Sequence, residues 1–431
     1  MKGPVMKPLA WLLSVVVLAA FSAPSTGLAE WQPHVVRQLN GKAGPFRLPA
    51  RFQIVTESWN RVVAVPYIVN MPEKDRVLML VGCDYPHRAF VLTSDDHGAT
   101  WTDPRPARVG KDGKPSIGMG TALAYLGQGK LMFYESGGLA VGSPSRWFSS
   151  DYGKTWGNPV PIAVSSDKMA WHIWDPPLVE RHPKTGKVTR LAETGYRQSG
   201  TSSSASIRFS GDQGRTWKKS IQVPQWRGAN EVYLFRAGNG HLLAACRTDV
   251  PRRLKGKTLD HYEGLGVSIS RDDGLTWSPV KKIYDYGRHH QSLVLMPNKD
   301  IVMTYVVRLG YVDDKDGFPQ FGIEAVVSHD HGVNWDLDHR YLLHVWSGKR
   351  KGETYWWPSS QSTSSTLLPD GSILTAFGTG YRIQAGKDSP QAPRDVGLVK
   401  WRLNTRPVNA DRSVRDASFD SDRRNVFDPK S

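Results

Sequence analysis

Apolar positions in this chain gather into short runs, bounded by clusters of Gly, Pro, Asn and Asp. Arg88-Ala-Phe-Val-Leu-Thr93, Ile323-Glu-Ala-Val-Val327 and Val396-Gly-Leu-Val-Lys-Trp401 have the length and the β-branched and aromatic content of strands. Turn chemistry separates them, as in Met71-Pro-Glu-Lys-Asp75, Leu126-Gly-Gln-Gly-Lys130, Pro183-Lys-Thr-Gly-Lys187, Arg236-Ala-Gly-Asn-Gly240, Met296-Pro-Asn-Lys-Asp300 and Leu368-Pro-Asp-Gly371. One run differs. Lys2 and Lys7 precede apolar residues from Leu9 to Phe21, and small residues lead on to Ala29. That order of charged, apolar and small parts predicts a signal peptide over residues 1–29, cut after Ala29, and a secreted or periplasmic protein. The run is shorter than the roughly 20 residues a membrane span needs.

A second pattern overlies the first. Ser-x-Asp-x-Gly-x-Thr-Trp occurs at Ser94–Trp101, Ser149–Trp156, Ser210–Trp217 and Ser270–Trp277, and again at Ser328–Trp335 with Asn334 in place of Thr. The tryptophans are spaced 55, 61, 60 and 58 residues apart, so one structural unit recurs. Asp accepts backbone hydrogen bonds in a turn, and Gly takes the positive φ. Each element is therefore predicted to be a hairpin tip with a structural Asp. Six hairpin signals at this period predict six four-stranded units. Strands near Trp31–Leu39 are expected to complete the last unit and close the ring, giving an all-β, six-bladed β-propeller over residues 30–405. Residues 406–431 read as a charged tail.

Composition narrows the partners. The chain has 431 residues, a formal charge of +16 and only two cysteines. Loss of residues 1–29 removes Lys2 and Lys7 and leaves +14, so the basic character belongs to the folded part. Such a field favours anionic partners, and export points to acidic glycans rather than nucleic acid. Cys83 and Cys246 exclude a disulfide scaffold and a four-cysteine zinc site. They fall at matching strand ends of opposite units, which predicts free thiols. No cofactor, metal, membrane span or protein partner is called for.

The five repeats are Asp-boxes, or bacterial neuraminidase repeats, and over about residues 50–405 the chain resembles the sialidase superfamily of six-bladed propellers. The resemblance implies a ligand site on the axis, built from first-strand starts and second-strand ends. It also implies an arginine triad for a substrate carboxylate, a Tyr nucleophile activated by Glu, and an Asp acid/base. Asn230-Glu231 with Arg247 looks like the family's Glu and second arginine, and Arg308 like the third. The stretch aligned with the first arginine is Ala64-Val65-Pro66, and Ser362 stands where the tyrosine is expected. Asp84 is the nearest acid/base candidate by position.

Other mouth residues suit the same chemistry. Arg197, Arg247, Arg308 and Arg382 end second strands, and guanidinium binds carboxylate or sulfate fork-wise. Glu135, Asp175, Glu193 and Glu231 are candidate carboxylates for a glycoside hydrolase acting on an acidic sugar. His172, His289 and His290 are candidate bases or ligand contacts. With Tyr196 they also fit a polysaccharide lyase taking the proton beside a uronate carboxylate. The third reading is a non-catalytic glycan-binding propeller.

Overall fold

A computed structural model describes residues 30–84, 87–136, 144–162, 172–199, 202–254, 262–309, 320–347, 362–381 and 393–408. The expected signal segment over residues 1–29, Arg382 and the residues beyond 408 lie outside the described residues. Strands β1 (Gln32–Gln38) and β2 (Phe46–Ile54) open the chain. A four-stranded antiparallel sheet follows, made of β3 (Val63–Met71), β4 (Arg76–Cys83), β5 (Arg88–Ser94) and β6 (Arg105–Pro106). The second has β7 (Met119–Gly127), β8 (Lys130–Ser136), β9 (Ser145–Ser149) and β10 (Gly157–Pro161). The third has β11 (Leu178–Arg181), β12 (Val188–Ser199), β13 (Ser202–Ser210) and β14 (Ile221–Arg227). The fourth has β15 (Ala229–Arg236), β16 (Leu242–Thr248), β17 (Gly264–Ser270) and β18 (Lys281–Tyr284).

The remaining strands are β19 (Arg288–Leu295), β20 (Ile301–Leu309), β21 (Gln320–Ser328), β22 (Tyr341–Ser347), β23 (Thr363–Leu367), β24 (Ile373–Tyr381) and β25 (Arg394–Trp401). With β1 and β2 they form one nine-stranded sheet, ordered β19-β20-β21-β22-β1-β2-β25-β24-β23. The architecture is thus all-β and propeller-like. The N-terminal closure differs in detail from expectation. It is β2 that lies beside β25, while β1, the Trp31–Leu39 stretch, reaches across to β22.

Core side chains fill the spaces between neighbouring sheets. Leu78, Leu80 and Val91 of the first sheet pack with Leu123, Leu131 and Phe133 of the second. The repeated turns tie these layers together. In the second one, Ser149 Oγ donates to Asp151 Oδ1 (2.8 Å) and accepts from Gly153 N (3.0 Å). Asp151 also accepts from Thr155 N (2.9 Å) and Oγ1 (2.6 Å). The same bonds recur at Asp96, Asp212, Asp272 and Asp330, where Asn334 Nδ2 replaces the Thr hydroxyl at 2.8 Å. Each turn glycine has a φ between 79° and 93° and approaches a side chain of the preceding unit. Gly153 meets Leu78, Gly214 meets Met132, Gly274 meets Phe209 and Gly332 meets Leu243. Gly98 meets Leu374 of β24, so the first unit also packs on the last. Cys83 and Cys246 are free and buried.

Candidate active site on the axis

The first strands of the units line the centre. β3 packs against β7 and β23, and β19 against β15 and β23. A register shift interrupts the inner strands β3, β7, β15 and β19 near their starts. At those shifts Val65, Ala122, Glu231 and His290 adopt φ of 53°, 53°, 42° and 53°, and Ser362, just before β23, adopts 44°. Left-handed backbone at a non-glycine residue costs of order 1–3 kcal/mol, and a bulge re-aims its side chain. Two of these positions carry ionisable groups, and the two meet.

Glu231 Oε1 accepts from Arg247 Nη1 at 2.8 Å, and Oε2 faces His290 Nδ1 at 2.8 Å. Arg247 Nη1 lies 3.4 Å from His290 Nε2, and Arg247 Nη2 is paired with Glu263. The backbone beneath is pinned as well. Gln291 Nε2 donates to the carbonyls of Glu231 (2.6 Å) and Ala245 (2.9 Å), and Thr363 Oγ1 donates to the His290 carbonyl (2.8 Å). Asp175 sits beside this cluster, in a small cavity it shares with Tyr67, Trp174, Tyr233, His290 and Ser362. Its Oδ2 is buried without a hydrogen-bond partner among the described residues. Tyr67 donates its hydroxyl to the Trp174 carbonyl at 2.7 Å, which fixes the loop carrying Asp175.

The two carboxyls are driven apart in acidity. Burial raises the Asp175 pKa well above the usual carboxylate range, and the neighbouring Glu231 charge adds to it. Burial pushes Glu231 the same way, but Arg247 and His290 outweigh it and hold Glu231 at about 2. Burial likewise raises Tyr67 and Tyr196, with the Glu231 and Asp175 charges reinforcing it. His290 and His172 are lowered by burial, partly offset by Glu231. The site therefore holds Glu231 fixed in its charged form, Asp175 biased toward its protonated form, and phenols and imidazoles biased toward their neutral forms.

Several expected residues converge here: Glu231, Arg247, Asp175 and His290 directly, with Tyr196 and His172 alongside. His172 and Tyr196 exchange backbone hydrogen bonds at 3.2 and 3.1 Å, and their rings stand 5.2 Å apart. Arg308 is buried and its charge acts on His290. His289 is fully buried, its ring 4.5 Å from that of His290. Arg197 is half-buried on β12 opposite Ser204. Glu135 lies in a different setting, paired with Arg108 and accepting from Trp147 Nε1 at 3.0 Å, while Arg108 covers the Trp147 ring. Glu193 is a buried tie between sheets, held by Arg146 and Arg208. Asp84 is bound by Arg61 at 3.1 and 2.6 Å and its pKa is lowered by that bond, so it does not keep the proton an acid needs. Tyr67, Tyr233 and Glu263 were not foreseen. Glu263 stands at a third-strand start, and the two tyrosines lie on first strands beyond the bulges, where the register has shifted.

Residues 144–365, just over half of the chain, match the BNR repeat-like domain. No curated protein matches the chain in sequence. Among solved structures, a Dyadobacter fermentans protein of unknown function is similar with TM-score 0.56 and 16% identity, over 80% of this chain and 96% of that one. The intramolecular trans-sialidase of Ruminococcus gnavus has TM-score 0.52 and 11% identity, over 79% and 94%. The sialidase of Trypanosoma rangeli has TM-score 0.50 and 15% identity, over 86% of this chain but only 57% of that longer one. At these identities the structures speak for the shared fold, and the extent of the domain match identifies the chain as a member of the BNR repeat-like family.

Proposed function

We propose that the protein is a secreted or periplasmic, sialidase-like glycoside hydrolase that acts on an acidic sugar or glycan. In this reading the nine-stranded sheet is two four-stranded units, β19–β22 and β23–β25 with β2, joined through β1, so that six units carry five Asp-boxes. The observation that carries the chemistry is the pair Asp175 and Glu231. A protonated carboxyl and a fixed carboxylate in one buried cluster are what cleavage of a glycosidic bond requires. Asp175 gives its proton to the leaving oxygen as the glycosidic C–O bond breaks, and a water that adds to the anomeric carbon returns a proton to Asp175. Glu231 opposes the positive charge that grows on the sugar ring, and its grip on Arg247 and His290 keeps it ionised at that moment. Arg247 is already shared between Glu231 and Glu263, so it is the basic character of the chain, with Arg308 near the cluster, that favours an acidic substrate group. Tyr196 and His172 line the approach, the phenol keeping its proton and the imidazole neutral at pH 7.

The contact between His172 and Tyr196 also suits a lyase, with His172 as base toward a uronate and Tyr196 as acid. Product analysis separates the two. Incubation of the mature protein with sialosides, uronate polymers and sulfated glycans should release a saturated sugar. An unsaturated uronate absorbing in the near ultraviolet would identify the lyase. Binding without turnover by the intact protein would identify a glycan-binding propeller.

A further inference from the structure

Glu231 has only acceptor oxygens, and its Oε2 lies 2.8 Å from His290 Nδ1 in an ion-pair contact that is not aligned as a hydrogen bond. Arg247 has only donors, so its Nη1 at 3.4 Å requires a bare His290 Nε2. With the 2.8 Å bond from Arg247 to Glu231, Arg247 links both side chains, and the neutral, Nδ1-protonated imidazole is the form that leaves Nε2 free to accept from Arg247 while its one proton stays on the nitrogen nearest the carboxylate. We propose that His290 is a positioning residue for the axial site, and that addition of a second proton to its ring opens this assembly and switches the site off. The inference rests on reading the axial cluster as the active centre.

The surroundings support a neutral imidazole. His290 is buried, with Glu231 of β15 as the anion against it. Arg247 of β16 and Arg308 of β20 both disfavour its protonation. The His289 ring lies 4.5 Å from it, tilted by 59°, and the Trp174 ring lies 6.0 Å away. Asp175, Tyr67 and Tyr233 share its cavity, and all three are raised toward their neutral forms. Glu263 balances Arg247 from the far side. A protonated Nε2 would point an N–H at the guanidinium, so two cations would meet where one donor–acceptor contact stood.

The test is made on the mature chain with ¹⁵N-labelled histidine, the His290 signals being assigned by their loss in His290→Gln. The expected spectrum at pH 7.5 is the neutral Nδ1–H tautomer, persisting below pH ~6.5, where a free imidazole is half protonated. An Nε2–H tautomer, or an imidazolium at pH 7.5, overturns the inference, whether or not a substrate has been found. Where turnover is measurable, glutamine keeps one donor and one acceptor but does not titrate. The acid limb of kcat/KM should therefore move by at least one pH unit in His290→Gln, whatever its activity at neutral pH. An unmoved acid limb in a variant that melts normally refutes the switch. The right tautomer in a protein that turns over no glycan counts against the hydrolase reading and leaves the placement of His290 standing.

Discussion

At the scale of single residues, Asp175 and Glu231 test opposite halves of one argument. Folding raises the pKa of Asp175, so between its unfolded and folded values the native state holds a proton that the unfolded chain has lost. Stability contributed by Asp175 is therefore lost as pH rises through that window. Asparagine does not titrate. Asp175→Asn should lower turnover by about 10²–10⁴-fold, the usual worth of a general acid. It should also raise the melting temperature at neutral pH, and thermal scans beside kinetics would show both; a fall in each would make Asp175 structural. Glu231 runs the other way. Its folded value of about 2 lies below the unfolded one, so its contribution is complete above ~4.5 and disappears as pH falls toward 2. Arg247 joins two carboxylates with separate nitrogens, which a lysine cannot copy. Arg247→Lys should thus lower the melting temperature as well as weaken binding. Binding loss without any loss of stability would mean that the two carboxylates do not depend on Arg247. None of this geometry is local in sequence. Glu231 and Arg247 were recognisable from their strand positions, but the partnership with His290 spans 43 residues from Arg247 and depends on bulges that shift the register. Glu135, placed by the same positional rule, has Arg108 and Trp147 as partners instead.

At the scale of elements, the repeated turns were the most readable part of the chain, because their bonds run between residues two and four apart. Ser149, Asp151, Gly153 and Thr155 satisfy one another within one turn, so their spacing alone specifies the shape. What the spacing could not show is the role of the glycine between units. A Cβ placed on Gly153 would stand 2.1 Å from Leu78 Cδ1, in addition to the unfavourable φ of 79°. At Gly240 the φ of 89° is similar, but nothing lies within 4 Å. Gly240→Ala should therefore cost only the backbone strain, about 1 kcal/mol, whereas Gly153→Ala should cost about 2–4 kcal/mol through strain and overpacking. Chemical denaturation of the two variants measures the difference. Equal losses would show that Leu78 yields freely and that this contact does not lock the sheets.

At the scale of the whole molecule, the chain is held closed by its own beginning. β2 pairs with β25 from Arg51↔Lys400 to Ile54↔Gly397, and Val55 N donates to Val396 O at 2.9 Å. β1 adds a narrower link, pairing with β22 only at Arg37 and Gln38, with Asn404 Nδ2 donating to Gln38 Oε1 at 2.7 Å. These contacts join residues more than 300 positions apart, so their loop entropy is repaid only when the intervening sheets are in place. The hydrophobic pattern predicted closure by strands near Trp31–Leu39, whereas it is β2 that pairs with β25 and β1 that reaches β22. Sheet pairing is decided by neighbours that come together only after folding, and β1 and β2 are both strand-like. The difference has a measurable consequence. A chain starting at Phe46 keeps β2 and loses the β1 link, and it should fold with a melting temperature lowered by several degrees. A chain starting at Glu57 exposes the edge of β25 and the apolar groups that β2 covers, including those around Phe377 and Val399. Such an edge invites pairing with other copies. That chain should aggregate, or melt more than about 10 °C below a chain that starts at Glu30, at no more than roughly 2–4 °C per kcal/mol lost. Size-exclusion chromatography with thermal scans of both chains would decide it. Normal melting of the shorter chain would mean that the sheets hold together without β2, and that the closure is an accessory to the fold and not its latch.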